Sequence, residues 1–256
     1  MAYHRLMSKA STRWRSEATA QLGSALAAQA DSATRDHWTR YLKGQAQFRG
    51  VPMAGVRRSV RSAWSDRQLS ERSTDDVLAL AQEWMAQPMT EDKLAGVLLL
   101  AEHLAPRLGD HHVRALASPL AEGHLADWNI VDWYATKAVH AFLAARPEHM
   151  ARRSRLVARW AQGGNLWLRR AGVVSFVKLA PTPPFDGFIP LVLAACAGNL
   201  VSDDRFAHTG PGWVLRELSK TAPDDVAGFI ASHPEFSAEG RRMALAHLRP
   251  GPYRRR

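Results

Sequence analysis

Cysteine is all but missing from this chain: Cys196 is the only one in 256 residues. No disulfide framework and no thiolate metal site forms within one chain on that supply. The thiol lies in the apolar stretch Leu191 to Cys196, where burial is expected. Long uncharged apolar runs are also missing, none approaching the ~18 residues that span a membrane. The amino terminus carries His4, Arg5, Lys9, Arg13 and Arg15 with no apolar segment behind them, so a secretory signal is not supported. These absences fit a reducing cytoplasm. Strand-type alternation is scarce, and no Gly-rich phosphate loop, nucleophile elbow or kinase signature occurs. His103, His111, His112, His124 and His140 lack a compact ligand spacing beyond the His111-His112 pair, so no metal and no cofactor is expected.

Acidic residues are the minority charge, 24 against 34 Lys and Arg, for a net charge of +10. Such an excess favours a polyanion partner. The arginines cluster at Arg57-Arg58-Arg61, Arg152-Arg153-Arg155, Arg169-Arg170, Arg241-Arg242 and Arg254 to Arg256, so a basic surface has to be assembled by folding. The plainer alternative is a solvated charged face.

Hydrophobic residues make up 46% of the chain, enough for one large core or a continuous solenoid core. From about residue 70, apolar-periodic segments of roughly 12 to 18 residues alternate with short Pro, Gly, Asp or Ser punctuation. Thr74 is expected to cap a helix through Met85, Thr90 one through Leu104, and Ser202 or Asp203 one through Ser219; Pro88, Pro106 and Pro181 mark stops. Segments about twenty residues apart read as antiparallel pairs with a period of roughly 35 to 40 residues. The expectation is an all-α protein, an α-solenoid of HEAT-like helix pairs with a concave basic groove, forming one domain over 1–256. Residues 1–50 read as an amino-terminal helical cap, Pro52 suits the start of a basic helix, and residues 250–256 read as a mobile basic tail.

Three tryptophan-centred fragments follow in order: Trp128-Asn129-Ile130-Val131-Asp132, Asn165-Leu166-Trp167-Leu168-Arg169-Arg170, and Gly212-Trp213-Val214-Leu215-Arg216-Glu217. A spacing of four puts Trp128 and Asp132 on one helix face, a carboxylate under an aromatic wall. Trp167 and Arg170, three apart, are likewise neighbours, while Arg169 points elsewhere. Aromatic faces with one carboxylate and one guanidinium suit a cationic, phosphate-bearing substrate.

These fragments, with Tyr41 through Arg58 ahead of them, resemble the AlkD-like DNA alkylation-repair glycosylases, which are built from HEAT-like repeats; the resemblance covers nearly the whole chain. It implies that Trp128 and Trp213 contact the modified nucleoside, that Asp132 is catalytic, and that Arg170 lies on the DNA-facing surface; the planar fork of donors on Arg170 suits a neighbouring phosphate. It also implies removal of positively charged alkylated purines of the 3-methyladenine and 7-methylguanine type from duplex DNA. No metal or redox cofactor takes part, and the lesion need not be flipped into a protein pocket. Trp167, Arg57, Arg58 and Arg61 are the further candidate DNA contacts. The partner is then duplex DNA, with no membrane, for a cytoplasmic, nucleoid-associated monomer.

Two departures qualify the match. His208-Thr209-Gly210-Pro211-Gly212 is rich in helix breakers, so the helix there is expected to start late or kink and so to move Trp213. Gly163-Gly164 adds a joint before Asn165. Trp133 reads as core, and Arg216 and Glu217 as inter-repeat salt bridges. Alternatives are a relative specialised for bulky purine adducts, a non-catalytic binder of unusual DNA structures, and a HEAT-like protein-interaction scaffold.

Overall fold

A computed structural model describes residues 2–248, with side chains from Arg13 onward. The basic tail expected at 250–256 lies outside the described residues. Helices follow one another as α1 (Ala2–Ala27), α2 (Ser32–Tyr41), α3 (Met53–Asp66), α4 (Thr74–Met85), α5 (Thr90–Leu99), α6 (Val113–Ala121), α7 (Trp128–Trp133), α8 (His140–Ala144), α9 (Met150–Ala158), α10 (Leu166–Val174), α11 (Phe188–Asn199), α12 (Arg205–Leu218), α13 (Pro223–Ser232) and α14 (Ala238–Ala244). No strand occurs among the described residues; the one extended contact is an isolated bridge between Gln47 and Met89.

Local chemistry sets the helix ends. Ser73, the residue before the expected Thr74, caps α4 by accepting the Asp76 amide at 3.1 Å, and Asp75 and Asp76 add negative charge to the first turn. Asp204, rather than Ser202 or Asp203, caps α12 by accepting the Phe206 amide at 2.7 Å. α5 starts at Thr90 without a side-chain cap and runs on through a π-helical turn, Leu100–Leu104. Only four residues join α4 to α5, which makes the two antiparallel neighbours.

Packing follows chain order, as in a solenoid. One row of helices, α3, α5, α7, α10, α12 and α14, touches neighbour to neighbour. A second row backs it, with α1 and α4 behind α3 and α5, and α6, α9 and α11 behind α10 and α12. The fold is thus an all-α helical-repeat solenoid. Its core is continuous: Leu80, Trp84, Leu98, Tyr134, Phe142, Phe176, Phe188 and Leu215 are all essentially removed from solvent and belong to one cluster. No helix of the described residues is long and apolar enough to cross a membrane.

The amino-terminal region contains α1, which buries Ala18, Leu22 and Leu26, and α2, none of whose residues is buried. The ends of α2 are tied by the loop after it. Gly50 has φ +91, and a Cβ there would lie 2.0 Å from the Asp31 carbonyl oxygen, so only glycine fits. Buried Glu91 accepts the amides of Arg49, Gly50 and Val51 at 2.9, 2.8 and 3.1 Å and fixes that loop to α5.

Candidate active site

α7, α10, α12 and α14 line an open cavity of about 480 Å³ near the carboxyl-terminal half of the row. α7 starts at Asp127, whose carboxylate accepts the Ile130 amide at 3.0 Å. The helix buries Ile130 and Val131 and turns Trp128, Asn129, Asp132 and Trp133 to the cavity. It then passes into a π-helical segment, Tyr134–Val139, before α8. Wide turns of this kind recur at functional sites because they re-aim side chains. Here the segment brings Thr136 and Lys137 to the same cavity.

α10 is capped by Asn165, which accepts the Leu168 amide at 2.8 Å and donates to the Leu120 carbonyl at 2.7 Å, tying α10 to the end of α6. That anchoring fixes Arg170. Its Nε donates to Asp132 Oδ1 and its Nη2 to Asp132 Oδ2, both at 2.8 Å, while Nη1 reaches the Phe206 carbonyl at 3.0 Å and Thr209 Oγ1 at 3.1 Å. The Arg170 side chain is 5% exposed and that of Asp132 14%. The guanidinium expected to hold a phosphate is thus largely buried and donates to Asp132, the Phe206 carbonyl and Thr209, which fixes the Asp132 carboxylate against it.

The pair leaves the carboxylate usable. Each Asp132 oxygen accepts one bond from Arg170 and keeps a lone pair. Burial pushes the Asp132 carboxyl above its ordinary value, and the Arg170 hydrogen bonds and charge pull the other way.

α12 corrects one expectation. The helix is continuous from Arg205 to Leu218 through Pro211, and Trp213 reaches the cavity. Gly212 serves contact here rather than flexibility: a Cβ on it would lie 2.9 Å from the Gly240 carbonyl oxygen and 3.1 Å from Gly240 Cα, so the bare backbones of α12 and α14 meet. Packing against α14 overrides the breaker composition.

The structure thus brings Trp128, Asp132, Arg170 and Trp213 to one cavity and leaves other expected residues outside its lining. Trp167 packs on Phe206 of the lining, ring centroids 5.3 Å apart. Arg57 pairs with Glu102 at 2.8 Å, Arg58 donates to Gln29 at 3.2 Å, and Arg61 is exposed; all three sit on α3. The Arg216–Glu217 pair is local, between chain neighbours and shared with Lys220, so it bridges no repeats.

Sequence reasoning missed Asn129, Thr136, Lys137, Arg205, Phe206, Thr209 and Met243 in the lining, and read Trp133 as core although it also lines the cavity. Only Phe206 carried an aromatic signal, and nothing in the spacing linked it to Asp132. The lining sets three cations, Lys137, Arg170 and Arg205, against a single carboxylate, Asp132. Tyr41 of α2 stands at the rim, its ring 6.0 Å from that of Trp128, and is 55% exposed.

A family model described as DNA alkylation repair enzyme matches residues 22–248. The chain belongs to that family. Among solved structures, a "Predicted DNA alkylation repair enzyme from Enterococcus faecalis" superposes with a TM-score of 0.72 at 18% identity, covering 86% of this chain and 97% of the other. At that identity the likeness is one of fold. No curated protein matches the chain. Trp128, Asp132, Arg170 and Trp213, and the helices that carry them, fall within the family match. Membership ties the chain to repair of DNA alkylation damage, and its cavity carries one carboxylate, three tryptophans and an excess of positive charge.

Proposed function

We propose that this family member is a DNA N-glycosylase that hydrolyses the glycosidic bond of positively charged alkylated purines in duplex DNA. The observation that carries this reading is the Asp132 carboxylate, held by Arg170 in the lining of a cavity that Trp128 and Trp213 also line. A purine alkylated on a ring nitrogen is cationic, and an aromatic face attracts a cation by about 0.5 to 2 kcal/mol. Trp128 and Trp213 supply such faces.

The base leaves as a neutral purine, taking the electron pair of the C1′–N bond. Positive charge then moves to the deoxyribose, where ionised Asp132 stabilises it, as carboxylates do in glycoside hydrolysis. Water adds to C1′, and its proton passes to Asp132 or to solvent. No part of this scheme requires a metal or a redox cofactor.

The test is release of free purine from methylated duplex DNA by the unaltered chain and by Asp132→Asn, with duplex binding measured in parallel. Release by the first and its loss in the second, with binding kept, is the expected result. Binding without release by the unaltered chain would overturn the hydrolytic reading.

A further inference from the structure

Arg170 and Arg205 both line the cavity, and a carboxylate grips each along the same edge. Arg170 meets Asp132 through Nε and Nη2 and spends Nη1 on the Phe206 carbonyl and Thr209. Arg205 meets Glu239 through Nε and Nη2 at 2.8 and 2.6 Å, but its Nη1 makes no hydrogen bond among the described residues. The Arg205 side chain is 62% exposed, against 5% for Arg170. A guanidinium carries five donors in a fixed fork, so Arg205 keeps the Nη1 and Nη2 end of its fork open.

Glu239 stands on α14 four residues before Met243, on the helix face that reaches the cavity. The Arg205 hydrogen bond holds its carboxyl below the ordinary value, so it is ionised at neutral pH. A carboxylate on one edge of a long, exposed side chain limits its swing and leaves the other edge presented. The course of α12 ties that edge to the Asp132 pair. Arg205 is the first residue of the helix, and Thr209, four residues on, shares its face and accepts from Arg170. That separation is about 6 Å along the axis, or roughly two nucleotide steps of a strand. The Phe206 ring lies beside both guanidiniums, 5.5 Å from that of Arg205 and 5.7 Å from that of Arg170.

We propose that Arg205, oriented by Glu239, binds a DNA phosphodiester group close to the nucleoside at Asp132 through the open end of its fork. The inference rests on the duplex-DNA reading given above. Two parallel N–H groups match two oxygens of a phosphate, which a single ammonium does not. Because Arg205 and Thr209 belong to one helix, a strand held at Arg205 is fixed relative to the arginine that holds Asp132. Such a contact sets register without reading sequence.

The experiment compares duplex binding across a salt series for the unaltered chain, Arg205→Gln, Arg205→Lys and Glu239→Gln, with the Tm of each. One phosphate contact contributes about 0.9 to the slope of log affinity against log salt. Arg205→Gln should lose about that much slope. Arg205→Lys should keep the slope with its charge and still bind more weakly, having lost the fork, while Glu239→Gln should lose no slope. An unchanged slope in Arg205→Gln overturns the site. Matched changes in slope, affinity and Tm for Arg205→Gln and Glu239→Gln would assign the pair to holding α12 on α14, and that also overturns it. Slope lost in Arg205→Gln while the unaltered chain binds duplex but releases no purine supports this site and overturns hydrolysis alone. Failure of the unaltered chain to bind duplex DNA overturns the glycosylase reading and this inference together.

Discussion

Asp132 and Arg170 meet in a planar, two-pronged ion pair, with both N···O distances at 2.8 Å and both side chains largely removed from solvent. The arrangement resolves a conflict between burial and ionisation. A carboxylate needed in charged form at the wall of an apolar cavity is penalised by desolvation, and the guanidinium offsets part of that penalty. Thr209 and the Phe206 carbonyl hold the far side of the guanidinium, so α12 also braces the pair.

Arg170→Ala is expected to lower excision and to destabilise the fold. Removing one member of a buried pair leaves the other charge uncompensated, at a cost of about 3 to 5 kcal/mol. Because Arg170 is the cause that lowers the Asp132 value, its loss should also move the acid limb of the excision profile to higher pH. A Tm measurement and a pH series read the two effects separately. An acid limb that stays in place would remove Arg170 from control of Asp132.

The unaltered chain should show activity and stability moving in opposite directions as Asp132 titrates. The folded value lies above the ordinary 3.8, so this group favours folding most below that value and its contribution is lost as pH rises through the raised one. Excision needs the ionised form and should grow over the same range. The acid limb should therefore fall above 3.8, and it should be absent from the residual activity of Asp132→Asn.

Gly212→Ala is expected to separate α12 from α14. The added methyl meets backbone atoms of Gly240, which cannot rotate away as a flexible side chain could. Overpacking of this kind costs about 1 to 3 kcal/mol. Since Trp213 is the next residue, excision should fall by more than duplex binding does. Equal losses in both, tracking Tm, would show that the contact serves stability only.

The solenoid and its helix spacing were legible because apolar periodicity and short punctuation are local signals. The Trp128–Asp132 face was legible for the same reason, since a separation of four on one helix fixes a shared side. The partner of Asp132 was not, because Arg170 lies 38 residues away and nothing in its immediate neighbourhood marks it as buried. Its position beside Trp167 suggested a surface neighbour, whereas packing of α10 between α7 and α12 turns it inward. The run from His208 to Gly212 misled in the opposite direction: composition alone spoke for a break, and close approach to α14 made those small residues part of a continuous helix. Lys137 reached the cavity through a π-helical turn, which no regular spacing anticipates.

Trp213 offers the sharpest test of why the substrate should be cationic. Its half-buried indole lines the cavity with Trp128, while Asp132 supplies the negative charge. Replacing it by phenylalanine keeps an aromatic face of weaker cation affinity, and replacing it by leucine keeps apolar bulk with none. If cation–π attraction selects the lesion, excision of a charged alkylpurine should fall in the order tryptophan, phenylalanine, leucine, spanning roughly the 0.5 to 2 kcal/mol of such contacts. Excision of an uncharged purine lesion should change little across the series, because the apolar contact is largely kept. Single-turnover rates on the two duplexes measure the ratio directly. A parallel decline on both would mean that Trp213 supplies shape alone, and selection for charge would then have to come from the departure of the base itself, since a cationic purine leaves as a neutral molecule without any help from the wall.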